Sequence, residues 1–336
     1  MHMANALISP VVGGVMTAVS ATAIGYSVKK VAGDKLDEKK IPMMSAMGAF
    51  VFAAQMINFT IPGTGSSGHI GGGIMLAALL GPFPALLTLA AILLIQCLFF
   101  ADGGLLAYGC NVFNMGVCTL LAYKFIYMPI VKKGMNKKNI IIASVTSVII
   151  GLQVGAFSVV AETLASGITE LPFQAFIGLM QPIHLAIGLA EGIITAAVLC
   201  FVHSMRPELL DSTIKNEKIA ADVPMKRVLV SFLIITVLVG GGLSLFASSF
   251  PDGLEWSIEG VVGTTELERD GAVYDTMSSI VDFTAFMPDY AFANDMDGSP
   301  FGTSAAGIVG GVITLIFAGG IGFILRMARK TEKASF

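Results

Sequence analysis

Charge is scarce in this chain. Lys, Arg, Asp and Glu together make up 13% of it, where a soluble domain carries roughly a quarter. An ordinary water-soluble fold is therefore excluded. Histidine is scarcer still: His2, His69, His184 and His203 are the whole supply. The four cysteines (Cys97, Cys110, Cys118, Cys200) fall inside apolar runs and form no C-x-x-C. They read as small buried hydrophobes, which sets aside a disulfide or thiolate centre. No G-x-x-x-x-G-K-[ST] is present, so the chain does not bind ATP through a Walker A loop. No H-E-x-x-H is present either, which weakens an intramembrane protease reading. A basic leader is missing, since the first Lys is Lys29. Ala21-Thr22-Ala23 resembles a cleavage site, but a cut there would only release the first apolar run. Met1 is expected to be retained, because His2 is bulky.

What the chain has in abundance is apolar sequence, with 55% hydrophobic residues and a mean hydropathy of +0.81. A helical span needs about 20 such residues. The expected fold class is an all-α polytopic membrane protein in a lipid bilayer. Nine runs stand out: 6–28, 43–59, 70–80, 85–100, 105–123, 140–160, 182–202, 225–246 and 305–325. With the N-terminus outside, 19 of the 20 basic residues fall on the inner side, and Arg269 stands alone opposite. So strong a bias predicts an outer N-terminus and a cytoplasmic C-terminus. The His69 loop then shares a side with Met1 and His2. The outer stretch 247–303 holds 11 of the 23 acidic residues. It reads either as a solvated, weakly ordered loop or as a cation-attracting segment that docks on the first part.

Met1 and His2 can form a chelate. The α-amine of Met1 and the amide and imidazole nitrogens of His2 would fill three corners of a square, which suits Ni(II) or Cu(II). A fourth nitrogen would complete it. His69 is the candidate, in a loop where Gly63, Gly65, Gly68, Gly71, Gly72 and Gly73 allow close backbone approach. His184 and Glu191, seven apart on one helix face, could orient a ligand from behind or relay protons. Glu191 is the clear carboxylate within a span, and such groups are usually functional. His203 reads as interfacial. Gln96, Asn111 and Asn114 read as helix-to-helix hydrogen-bonding groups, and Thr17, Ala21 and Gly25 as a small stripe for close helix contact within the bundle or with a partner.

Several ordered motifs resemble a known family. They are Met1-His2, Pro62-Gly-Thr-Gly-Ser-Ser-Gly-His69, Phe100-Ala-Asp-Gly-Gly-Leu105, Asn111-Val-Phe-Asn-Met115 and His184-Leu-Ala-Ile-Gly-Leu-Ala-Glu191. Over about residues 1–205 they resemble the nickel/cobalt substrate-binding membrane subunits, CbiM/NikM type, of energy-coupling factor transporters. Pro251-Asp-Gly-Leu-Glu255 and its flanking runs look like the small companion subunit, fused in one chain. The resemblance implies a seven-helix bundle plus two further helices, with a metal-binding bundle at 1–205, a cytoplasmic linker at 206–224 and a companion-like region at 225–336. It implies a metal held by the Met1 amine, the His2 amide and imidazole, and the His69 imidazole. Ni2+ or Co2+ would be the transported substrate, with no permanent cofactor. The implied partners are a transmembrane coupling subunit and two cytoplasmic ATPases, in a prokaryotic cytoplasmic membrane; no nucleic-acid partner is expected. The chain itself would not be an enzyme. Two other readings stay open: an ion-coupled secondary carrier using His184 and Glu191, and, more distantly, an intramembrane hydrolase.

Overall fold

The computed structural model describes residues 1–33, 39–220, 222–292 and 300–334. Lys35, Asp295 and Asp297 lie outside the described residues, as do the side chains of Arg329, Lys330 and Lys333. The chain is an all-α polytopic membrane protein. Its helices are α1 (Pro10–Gly33), α2 (Lys40–Gln55), α3 (Gly73–Leu80), α4 (Pro82–Phe100), α5 (Tyr108–Val131), α6 (Lys137–Ser166), α7 (Phe173–Met205), α8 (Pro207–Ile214), α9 (Met225–Gly241), α10 (Gly253–Val262), α11 (Ala272–Thr284) and α12 (Pro300–Ala334). A two-stranded antiparallel ribbon pairs Phe59–Ile61 with Ser66–Gly68.

All nine apolar runs contain helix, but among the described residues seven helices are long and apolar enough to cross a membrane. The second run forms α2, 16 residues and about 24 Å long. The third forms α3, only 8 residues and about 12 Å. Gly81-Pro82 ends α3 because proline has no N–H to continue it, and the same proline opens α4. The chain still passes between the two ends of the bundle here. The loop before α3 meets Pro251 at one end through Ser67 N–H, 2.8 Å. The last turn of α3 meets the 206–224 linker at the other, where Thr213 Oγ1 donates to the Leu79 carbonyl at 3.0 Å. Half of that crossing is loop, so hydropathy alone misjudges it.

One further expectation needs correction: by its mild polarity, the stretch 161–181 between the sixth and seventh apolar runs reads as a loop. The polar stretch 161–181 is mostly helix: α6 continues to Ser166 and α7 begins at Phe173. Glu162 thereby joins Glu191 as a buried carboxylate within a span, its charge met by Asn114 Nδ2 at 2.8 Å and Ser158 Oγ at 3.3 Å. The described part of 247–303 takes the second of its two readings. It folds α10 and α11 and docks on the bundle: Tyr274 hydroxyl donates to the Ile8 carbonyl, 3.1 Å, and Thr284 Oγ1 to Leu98, 2.6 Å. Helices α9 and α12 flank α2, which is buried along most of its length.

Candidate metal centre

The chain begins inside the protein. Met1 and Met3 are 7% and 0% exposed, so the backbone polar groups of this segment need partners away from water. Asn111 supplies them: its Oδ1 accepts from Met3 N–H at 2.7 Å and its Nδ2 donates to the Met3 carbonyl at 3.2 Å. Gly104 N–H donates to the same carbonyl at 2.8 Å, and Leu106 N–H to Asn5 Oδ1 at 2.8 Å. A Cβ at Gly104 would stand 2.2 Å from that Asn5 oxygen, so only glycine admits the N-terminal segment here. Asn111 is thus an anchor for the terminus and not a helix-to-helix group. Asn114 does bridge helices, to Glu162. Gln96 does too, donating to Gln55 Oε1 at 2.9 Å.

The sequence-predicted donors converge. The imidazoles of His2 and His69 lie parallel, 10° between planes and 5.3 Å between centroids. The Met1 amine forms an ion pair with Asp252. His2 Nδ1 faces Asp102 Oδ1 at 3.1 Å. Asp102 and Asp252 were not foreseen as site residues, although both stand in motifs named above. His203 lies apart, at the end of α7. Among the described residues no three His, Cys, Asp or Glu side chains form a ready metal cluster.

His184 and Glu191 are buried beneath this group, with His69, Met1 and Asp252 lining the same cavity of about 40 Å3. His184 Nδ1 meets the Met180 carbonyl at 2.8 Å. A carbonyl only accepts, so Nδ1 carries the proton and Nε2 presents a lone pair; that Nε2 is buried without a partner. Glu191 Oε1 accepts from Gly72 N–H at 2.9 Å, at the start of α3, where a negative charge is favoured by the helix dipole. Glu191 therefore ties down the loop that carries His69.

Each residue of Pro251-Asp-Gly-Leu-Glu255 has a task. The Pro251 carbonyl accepts from Ser67 N–H. Asp252 Oδ1 accepts from Leu254 and Glu255 N–H at 2.7 and 3.0 Å, and Glu255 returns the bond to Asp252 N–H at 2.9 Å. This is a capping box, with the first acid fixed at the helix start. A Cβ on Gly253 would stand 2.7 Å from Ile187 Cδ1 and 3.1 Å from His184 Cε1. Leu254 is buried.

The electrostatics follow from burial and proximity. Burial, the positive terminal amine and His2 push His69 down to about 4, so its ring stays neutral at ordinary pH. Burial pushes Asp102 up, but His2 and the hydrogen bonds from His2 and Tyr290 outweigh it, and it settles at about 2. Asp252 is likewise held well below the usual carboxylate range: burial opposes this, and the terminal amine prevails by its charge and its hydrogen bond.

The buried terminus thus has two imidazoles and two ionised carboxylates around it. Residues 2–209 match the family described as cobalt uptake substrate-specific transmembrane region, and the chain belongs to that family. Residues 226–327 match the PDGLE domain. A putative fused nickel transport protein of Archaeoglobus fulgidus is 30% identical over 334 residues, covering 98% of this chain and all of that one. A fused nickel transport protein of Rhodobacter capsulatus is 30% identical over 227 residues, 62% of this chain and 64% of its own length. A crystal structure of a truncated transition metal transporter matches 61% of this chain and 99% of its own, at 29% identity and a TM-score of 0.54.

Proposed function

We propose that this chain is the substrate-capture component of an ATP-driven Ni2+/Co2+ importer. The metal is held at the outer face by the Met1 amine, the His2 amide and imidazole, and the His69 imidazole. The observation that carries this reading is the buried terminus, with the His2 and His69 rings parallel beside it. A flat set of four nitrogens suits Ni(II), and Co(II) takes the same donors. Family membership and the fused nickel-transport relatives support the choice of substrate. His184 and Glu191 serve from behind: the first lines the cavity with a lone pair, and the second holds the His69 loop.

The chain has no Walker A loop, and hydrolysis in this reading falls to two cytoplasmic ATPases joined through a transmembrane coupling subunit. The outward faces of Ala21 and Gly25 on α1 support a close helix partner: both are exposed, and a Cβ added at Gly25 would meet nothing within 4 Å. The membrane is the prokaryotic cytoplasmic one, with the N-terminus outside and the C-terminus inside, and the chain is not itself an enzyme. The test is uptake of radioactive nickel or cobalt into vesicles containing this chain and its partners. Uptake should require ATP and persist when ion gradients are collapsed. Uptake by this chain alone, driven by a proton or sodium gradient, would favour the carrier.

A further inference from the structure

Helix α11 lies across one end of the bundle. Near its start, the Tyr274 hydroxyl donates to the Ile8 carbonyl at 3.1 Å. At its last residue, Thr284 Oγ1 donates to the Leu98 carbonyl at 2.6 Å. Ile8 stands at the start of the first apolar run and Leu98 at the finish of the fourth. Both ends of α11 are therefore pinned at the level where a membrane span ends, on the side that holds the N-terminus. The chain stays at that level beyond the helix. Phe286 N–H donates to the Phe99 carbonyl at 3.2 Å, and its ring packs on Phe99 and Phe100. With 13 residues, α11 is about 20 Å long.

The helix has three sides. Tyr274, Met277, Val281 and Thr284, spaced by three and four, turn toward the bundle, and Tyr274 and Val281 are buried. Asp275 and Asp282 share a second side and are exposed. Val273, Ile280 and Phe283 share the third, exposed by 41%, 41% and 90%. Thr276 stands among them with its hydroxyl bonded to the Ala272 carbonyl at 2.6 Å, so it adds no unpaired polar group to this face. Lipid-facing surface begins close by. Val11 and Val15 of α1, three and seven residues after Ile8, are 76% and 58% exposed.

We propose that α11 is an interfacial helix whose Val273–Ile280–Phe283 face rests in the boundary between headgroups and acyl chains. Its two aspartates face water. A helix lying in the plane of that boundary divides its faces in this way. Water on the third side would instead leave a Phe ring exposed beside the hydrocarbon that could cover it. The aspartates bring no attraction to anionic lipid, so the contact is apolar and needs no charged headgroup. The fused segment is thereby held to the bilayer as well as to the bundle, whatever metal the N-terminus takes.

The test places a nitroxide at single cysteines of the full-length chain in phosphatidylcholine vesicles, with Cys200→Ser removing the one cysteine that is not buried. Labels at Ile280→Cys and Phe283→Cys should be relaxed by oxygen, which dissolves in lipid, and spared by chromium oxalate, which stays in water. Labels at Asp275→Cys and Asp282→Cys should show the reverse, so the preference flips between adjacent positions 282 and 283. A second measurement keeps an aromatic ring in place. Phe283→Trp fluorescence should be quenched by brominated acyl chains more strongly than that of Trp256 in the unaltered chain. Adding phosphatidylglycerol should leave both patterns unchanged. Chromium oxalate reaching 283 as readily as 282 would overturn the proposal. So would a label at 283 shielded from both probes, because protein and not lipid would then cover the face. Quenching of Phe283→Trp no stronger than that of Trp256, or a pattern that forms only with phosphatidylglycerol, would overturn it as well.

Discussion

The α-amine of Met1 lies against the carboxylate of Asp252, 251 residues further along the chain. The contact closes the fold on itself and joins its first residue to the second part. It also gives the acidic stretch 247–303 a place in the site. Beside it, His2 and His69 come from segments far apart in sequence and meet with parallel rings. The roles assigned to these residues differ, and substitutions can separate them.

The histidines should rank unequally. His69→Ala should weaken Ni2+ binding most, because it removes a donor. His184→Ala should cost about tenfold, the effect of a supporting group. His203→Ala, remote from the terminus, should leave affinity unchanged. Calorimetric titration of the purified variants checks the order. Equal losses in all three would point to general unfolding and remove the distinction.

Glu191 separates the importer from the carrier. If it only holds Gly72 N–H, Glu191→Gln keeps a carbonyl acceptor and should transport nearly as well as the original. Glu191→Ala leaves that buried N–H unpaired, a cost of about 1–3 kcal/mol, and should loosen the His69 loop. Should Glu191→Gln prove as inactive as Glu191→Ala in uptake assays, a proton-exchanging carboxylate becomes the better account.

Asn111→Leu should free the terminus. The Met3 carbonyl keeps Gly104 N–H, but Met3 N–H loses its acceptor, again about 1–3 kcal/mol. The expected result is a lower Tm and weaker nickel binding, with His69→Ala adding little further loss. An Asn111→Leu protein with native affinity would show that the anchor is dispensable.

Orientation can be read with impermeant thiol reagents. Cys97, Cys110 and Cys118 are buried, so background labelling is low. Cysteines at Gly65 and Asp270 should label from outside intact cells, and one at Lys133 should not. External labelling at Lys133 would reverse the orientation inferred from the basic residues.

Much of this was legible in the sequence, for identifiable reasons. Apolar runs mark helices wherever lipid or a packed bundle surrounds them, and all nine contain helix. Where a loop completes a crossing, as before α3, hydropathy has nothing to detect. Glu162 was hidden because polarity was taken for a loop, although Asn114 and Ser158 pair with it inside the fold. The Asp252-x-x-Glu255 spacing is a capping-box signature that predicts the start of α10. Asp102 carries no comparable local signal: its partner Tyr290 lies 188 residues away. The Asn111 partner was misassigned for a similar reason. An amide in a span is read against other spans, and here a buried terminus takes their place.

The central claim is that residue 1 supplies a donor which no side chain can replace. One added residue before Met1 turns its amine into an amide and moves the new amine out of reach of the five-membered ring. Every side chain, His2 and His69 included, remains. Nickel titration of the purified protein, with its N-terminus verified by mass spectrometry, compares the two forms directly. The extended protein should insert and fold but lose most of its nickel affinity and its square-planar absorbance. Undiminished binding with the same absorbance would contradict the account.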